Sequence, residues 1–63
     1  MDNQIEISVA MTDEEAWAYA QFLKRVGLND YKTNAENEAE AYLMLQVGEK
    51  VRKALADKGY SPR

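Results

Sequence analysis

A mostly helical α+β protomer, one strand followed by two helices, is the architecture expected of these 63 residues. Three observations carry the expectation. Residues from Gln4 to Met11 alternate apolar and polar. From about residue 13 to 26, apolar side chains recur at helical spacing behind a helix start signal. From about residue 34 to 58 they do so again, over close to two-fifths of the chain.

The strand comes first. Ile5, Ile7, Val9 and Met11 share one face, and Gln4, Glu6, Ser8 and Ala10 the other. A period of two marks a strand with one buried side. A lone strand leaves its backbone donors and acceptors without partners, which invites pairing with another edge. The simplest edge is the same strand of a second copy, antiparallel about a two-fold axis. A homodimer is therefore expected.

Thr12-Asp13-Glu14-Glu15 spells a capping box, with acids in the first turn facing the positive end of the helix dipole. The helix should run to about Val26, with Gly27 as its C-terminal cap and Leu28 folding back on Leu23. Ala16, Tyr19, Ala20, Phe22, Leu23 and Val26 form its expected buried face; Glu14, Gln21, Lys24 and Arg25 form its wet face. Trp17 falls at the edge, beside Gln21 and Lys24. Tryptophan is enriched at interaction hot spots. Leu28 to Lys32 then reads as a connection, with Asn29 and Asp30 as turn formers.

The second helix opens on Thr33 with Glu36 three residues on, another capping box. It closes on Gly59, the residue type that takes the left-handed conformation at least cost, with Tyr60 placed to fold back on Leu55. Ala39, Leu43, Val47, Val51 and Leu55 recur every fourth residue, and Met44, Gly48 and Ala54 widen the line into a stripe. Gln46, Glu49, Lys50, Arg52, Lys53 and Asp57 lie opposite, with Glu49 and Lys53 spaced to pair. Glu36, Glu38 and Glu40 stand near the positive end of the dipole, and Lys50, Arg52, Lys53 and Lys58 near the negative end. Tyr42 and Leu45 project off the stripe, and either form a second contact surface or are covered by a partner helix that wraps far enough round. Gly48 inside a helix costs about 1 kcal/mol against alanine. Its place on the stripe favours a close approach by another helix over a tolerated defect. Ile5, Ile7, Val9, Met44, Gly48 and Val51 are the expected dimer contacts.

Length and composition bound the function. The 63 residues form one small domain. A monomer of this size buries only about 60% of its unfolded surface and is marginally stable. The chain has no cysteine and no histidine. That removes the disulfide, the thiolate or imidazole metal site, and catalysis by either side chain. Oligomerisation is the remaining support. No run of about 18 apolar residues spans a membrane, and the N-terminus carries no signal-peptide pattern. A cytoplasmic protein is expected. The net charge of −3 is uneven: residues 1–40 hold nine acids and three bases, residues 41–63 two acids and five bases.

No constellation of residues carries chemistry. Glu36, Glu38 and Glu40 are the densest carboxylates, but a solvated helix start does nothing to raise a pKa. The serines and threonines have no base to activate them. The loop Asn29-Asp30-Tyr31-Lys32-Thr33-Asn34 lacks the alternating oxygens and central glycine of a calcium loop. Gly27, Gly48 and Gly59 are too scattered to cradle a phosphate. No enzymatic activity, metal or cofactor is expected.

Two resemblances follow from these residues. The order of an alternating strand, Thr12 at the junction, a capped helix, Gly27 and a second helix resembles the ribbon-helix-helix family of dimeric DNA-binding regulators, over Gln4 to Leu55. The resemblance implies that the outward strand residues Gln4, Glu6 and Ser8 read bases in the major groove, with Lys24 and Arg25 as basic support. The runs Asp30-Tyr31 and Glu40-Ala41-Tyr42-Leu43-Met44, with the ending Ala54 to Arg63, resemble small uncharacterised proteins of bacteria, their phages and mobile elements. Anti-CRISPR inhibitors and other host-directed binders occur among small acidic proteins of such elements.

The leading expectation is a non-enzymatic protein-binding module, a modulator acting by occlusion or nucleic-acid mimicry. Its partner-binding residues are Trp17 with Gln21 and Lys24, Tyr42 with Leu45, and the acids Glu36, Glu38 and Glu40. The alternative is a ribbon-helix-helix regulator or antitoxin that binds DNA. A third is a purely structural dimer.

Overall fold

The computed structural model describes residues 3–63 and holds three helices: α1 (Asp13–Arg25), α2 (Leu28–Thr33) and α3 (Glu38–Asp57). Each begins where a side chain or loop geometry satisfies free backbone N–H groups. At α1 the capping box is complete. The Glu15 N–H donates to Thr12 Oγ1 at 3.1 Å, and the Thr12 N–H donates to Glu15 Oε1 at 2.8 Å. The helix does not end on a left-handed glycine. Val26 is extended at its C-cap, and Gly27, at φ −115°, is the N-cap of α2. The Asp30 carboxylate accepts from the Gly27 N–H at 2.8 Å. The expected connection is therefore itself a short helix.

That extra turn moves the start of the long helix. Thr33 is the last residue of α2, and its hydroxyl donates to the Asn29 carbonyl at 2.9 Å instead of capping the next helix. Residues 34–37 turn the chain, and Asn37 caps α3 by accepting from the Glu40 N–H at 2.8 Å. Glu40 in turn accepts from the Glu36 N–H at 2.9 Å. Asn37 with Glu40 is the same three-residue spacing as Thr33 with Glu36, and it is the later pair that operates. The far end matches expectation. Gly59 adopts φ 102°, its N–H donates to the Ala56 carbonyl, and the Tyr60 N–H donates to the Leu55 carbonyl at 2.9 Å. This is the Schellman arrangement.

The expected strand over Gln4–Met11 is overturned. No strand is present among the described residues, so the protein is all-α, not α+β. The physical reason is pairing. Alternation specifies a face, but a strand exists only where a neighbour supplies a hydrogen-bonding edge. No segment of the described chain does so. The ribbon-helix-helix likeness and the strand-paired dimer fall with it. Gln4, Glu6 and Ser8 are exposed along an irregular leading segment instead of aligned on a ribbon. Ile7, Val9 and Met11 of that segment border a groove against the C-terminal half of α3.

α3 packs against both α1 and α2. The core is small: Ala16, Ala20, Leu23, Ala41 and Leu55 are buried, with Val51 and Tyr60 packed at its edge. Of the buried face expected on α1, Ala16, Ala20 and Leu23 are inside, Val26 is half-buried, and Tyr19 and Phe22 are outside. On α3 the expected line is rotated. Ala41, Met44, Gly48, Val51 and Leu55 turn inward, while Ala39, Leu43 and Val47 face out. A helix advances about 100° per residue. A shift of one or two positions in where the neighbours dock therefore moves whole side chains from core to surface.

The molecule measures 33 × 28 × 16 Å, a plate little more than one helix thick. Such a plate encloses little. It exposes 5578 Å², against about 4,100 Å² for a compact monomer of 7.2 kDa.

Candidate functional site

Helix α1 presents Tyr19 and Phe22 three residues apart on its outer side. Their rings lie 5.4 Å apart and 30° from parallel. Helix α3 presents Leu43 and Val47, four residues apart, toward the same side. Their exposures are 47% and 50% on α1, and 61% and 56% on α3. Together with Met44 and Val51 these side chains line one open groove. Val51 is shared with the neighbouring groove, which Val9 and Met11 of the leading segment line together with Ala54 and Lys50. The segment continues outward to Ile7 and Ile5, which are 81% and 85% exposed. The result is a largely apolar surface that runs from the α1–α3 groove to the leading segment. Exposed apolar patches of this kind mark interaction sites on folded proteins.

The edge of this surface is charged in an ordered way. Along the outer side of α3, Glu40, Leu43, Val47, Lys50 and Ala54 follow each other at spacings of three and four. This is the three–four spacing of a helix–helix seam, with Glu40 before its two large apolar residues and Lys50 after them. Lys32 and Glu38 form an ion pair at 3.4 Å, and Lys53 pairs with Asp57 at 3.2 Å instead of with Glu49.

The structure distributes the sequence-derived candidates differently. Trp17, 40% exposed, sets its ring edge-on to Tyr60, with centroids 5.2 Å apart and planes at 72°. The Tyr60 hydroxyl donates to Asp13 Oδ1 at 2.5 Å. Trp17 thus ties the end of the chain to α1. Beside it Gln21 is half-buried and Lys24 exposed. Tyr42 is exposed and Leu45 half-buried, on the side of α3 away from the groove. Glu36 lies in the turn before α3, Glu38 begins the helix, and Glu40 reaches back across it. Lys24 and Arg25 occupy the last turn of α1, where a cation suits the helix dipole.

Of the residues expected at a dimer interface, Ile5, Ile7 and Val9 are exposed, and Met44 and Val51 line the groove. Gly48 receives a neighbour from its own chain. A Cβ there would collide with the Tyr31 hydroxyl and lie 3.2 Å from Tyr31 Cζ. Burial comes first among the causes that raise the Tyr31 phenol above its usual pKa, followed by Tyr19, Glu49 and Asp30. Periodicity alone assigns Tyr19, Phe22, Leu43 and Val47 to the core, and the structure places them outside it. The missed signal is that two apolar lines run along α3, one through Ala41 and Leu55 and one through Leu43 and Val47.

Among the described residues, no group of three or more Asp, Glu, His or Cys side chains is placed to hold a metal ion. No helix there is long and apolar enough to cross a membrane. The fold and surface define a small all-α protein whose most developed feature is an open apolar face. The chain belongs to the family of unknown function DUF7706, whose model matches residues 1–63. No curated protein and no solved structure matches it.

Proposed function

We propose that this protein is a non-enzymatic protein-binding module that acts by covering part of another protein's surface. One observation carries the reading. The larger apolar side chains, Ile5, Ile7, Tyr19, Phe22, Leu43 and Val47, lie outside, while three of the five buried core residues are alanines. Apolar surface left in water contributes nothing to folding, and a partner that covers it gains about 25 cal/mol per Å². The wider form of the proposal is a small acidic modulator encoded by a phage or mobile element and directed at a host protein. It rests on the sequence resemblance.

The leading segment is the part of this surface assigned to the partner. Ile5 and Ile7 are the most exposed large apolar side chains, and no helix of the protomer covers them. Capture from an extract of the source cells, followed by direct binding to the purified captured protein, tests this. Wild type should bind, and Ile5→Asp/Ile7→Asp should weaken binding at least tenfold while leaving the helical circular dichroism unchanged. Equal capture by both chains, or none by either, would remove the proposal.

A further inference from the structure

We propose that the groove between α1 and α3 is filled by a second copy of this chain, with the two α3 helices antiparallel about a two-fold axis level with Leu45. This inference deepens the protein-binding reading and rests on it, by naming one occupant of the apolar surface.

Three observations support it. The first is the seam. Glu40, Leu43, Val47, Lys50 and Ala54 keep the three–four spacing of a coiled-coil line, on the side of α3 that neither α1 nor α2 covers. The groove beside it has Tyr19 and Phe22 on one wall and Leu43 and Val47 on the other, all four exposed.

The second is charge. In an antiparallel pair centred level with residue 45, Leu43 meets Val47 of the other copy, and Glu40 meets Lys50. Symmetry repeats both contacts. Each apolar layer is then flanked by an acid–base pair. The charges of α3 itself agree: Glu38 and Glu40 stand in its first turn and Lys50, Arg52 and Lys53 in its second half, so an antiparallel α3 pair sets acids against bases. A parallel pair would stack Glu40 on Glu40 and Lys50 on Lys50. The line is therefore complementary to itself in one orientation.

The third is area. The protomer exposes 5578 Å², about 1,500 Å² more than a compact chain of 7.2 kDa. A standard interface removes about 800 Å² from each partner. The excess, to which the exposed leading segment also contributes, is larger than one such share.

Sedimentation of the purified chain, with exchange of the charged residues, is the test. Wild type should be a dimer at micromolar concentration. Lys50→Glu sets a second carboxylate against Glu40 at both symmetry-related contacts and should raise the dimer Kd roughly 100-fold. Glu40→Lys does the same with lysines. An equimolar mixture of the two variants restores unlike pairs and should return to a dimer of wild-type affinity. If either variant unfolds alone, recovery of helix on mixing reports the same pairing. A wild type that stays monomeric at 100-fold higher concentration would overturn the inference. So would a Lys50→Glu chain that dimerises like wild type, or a mixture with no gain over its components. Failure here is separable from failure of the binding-module reading. A monomer that still captures a protein through Ile5 and Ile7 keeps that reading and loses this one; a dimer that captures nothing does the reverse.

Discussion

Gly48 and Tyr31 show how one position balances two forces. A glycine in mid-helix costs about 1 kcal/mol against alanine. Yet the Tyr31 ring stands over it, and a methyl group there would meet the phenol oxygen. Gly48→Ala should therefore lower stability in the natural chain, because the ring must leave its place. In a Tyr31→Ala background the same substitution should raise stability by up to about 1 kcal/mol, the helix propensity alone. Urea unfolding of the four chains of this cycle measures the reversal. The same sign in both backgrounds would show that the ring does not constrain position 48. The sequence marks Gly48 as a point of close approach. It does not reveal that the approaching group comes from the segment between the two longer helices.

At the scale of elements, the start of α3 is ambiguous in the sequence between two caps of the same spacing. Thr33 with Glu36 and Asn37 with Glu40 both satisfy the pattern. The choice falls to Asn37 because Leu28–Thr33 closes into a helix whose last residue uses its hydroxyl on the Asn29 carbonyl. Asn37→Ala should cost about 1 kcal/mol of stability, the usual loss for an N-cap. Thr33→Ala should cost less than half of that, since its hydroxyl bonds backward to an exposed carbonyl. Thermal melting of the two variants decides it, and a larger loss at Thr33 would reverse the assignment. The leading segment teaches the opposite lesson. Its alternation is as regular as either helix pattern, but a helix satisfies its backbone internally and a strand does not.

Across the whole molecule, one hydrogen bond joins positions 47 residues apart. Tyr60, just beyond α3, donates to Asp13 in the first turn of α1 while its ring meets Trp17. The hydrogen bond to the carboxylate, then burial, then the negative charge of Asp13 raise the Tyr60 pKa above 10.0. A raised folded-state pKa means that the protonated phenol is favoured by folding. Its contribution is complete below the ordinary phenol value and is lost as the pH climbs through the raised one. The melting temperature of the natural chain should therefore exceed that of Tyr60→Phe below about pH 10, and the gap should close at higher pH. A gap that persists unchanged into strong alkali would mean that the ring, not the hydroxyl, holds the junction.

What could be read from residues alone is what depends on neighbours within about four positions. The capping box at Thr12, the Schellman end at Gly59 and the helical spans around Ala16–Leu23 and Ala41–Leu55 all belong to that class. The lack of cysteine and histidine belongs there too. What needed the folded chain is the direction in which each helix turns its apolar sides. α3 carries two such lines, and periodicity ranks them equally. Burial went to Ala41 and Leu55 because α1 and α2 dock there, leaving Leu43 and Val47 outside with Tyr19 and Phe22. Helix caps and dipoles act locally along the chain, whereas burial, like the Tyr60–Asp13 bond, depends on which surfaces meet. The open apolar face is a property of that meeting.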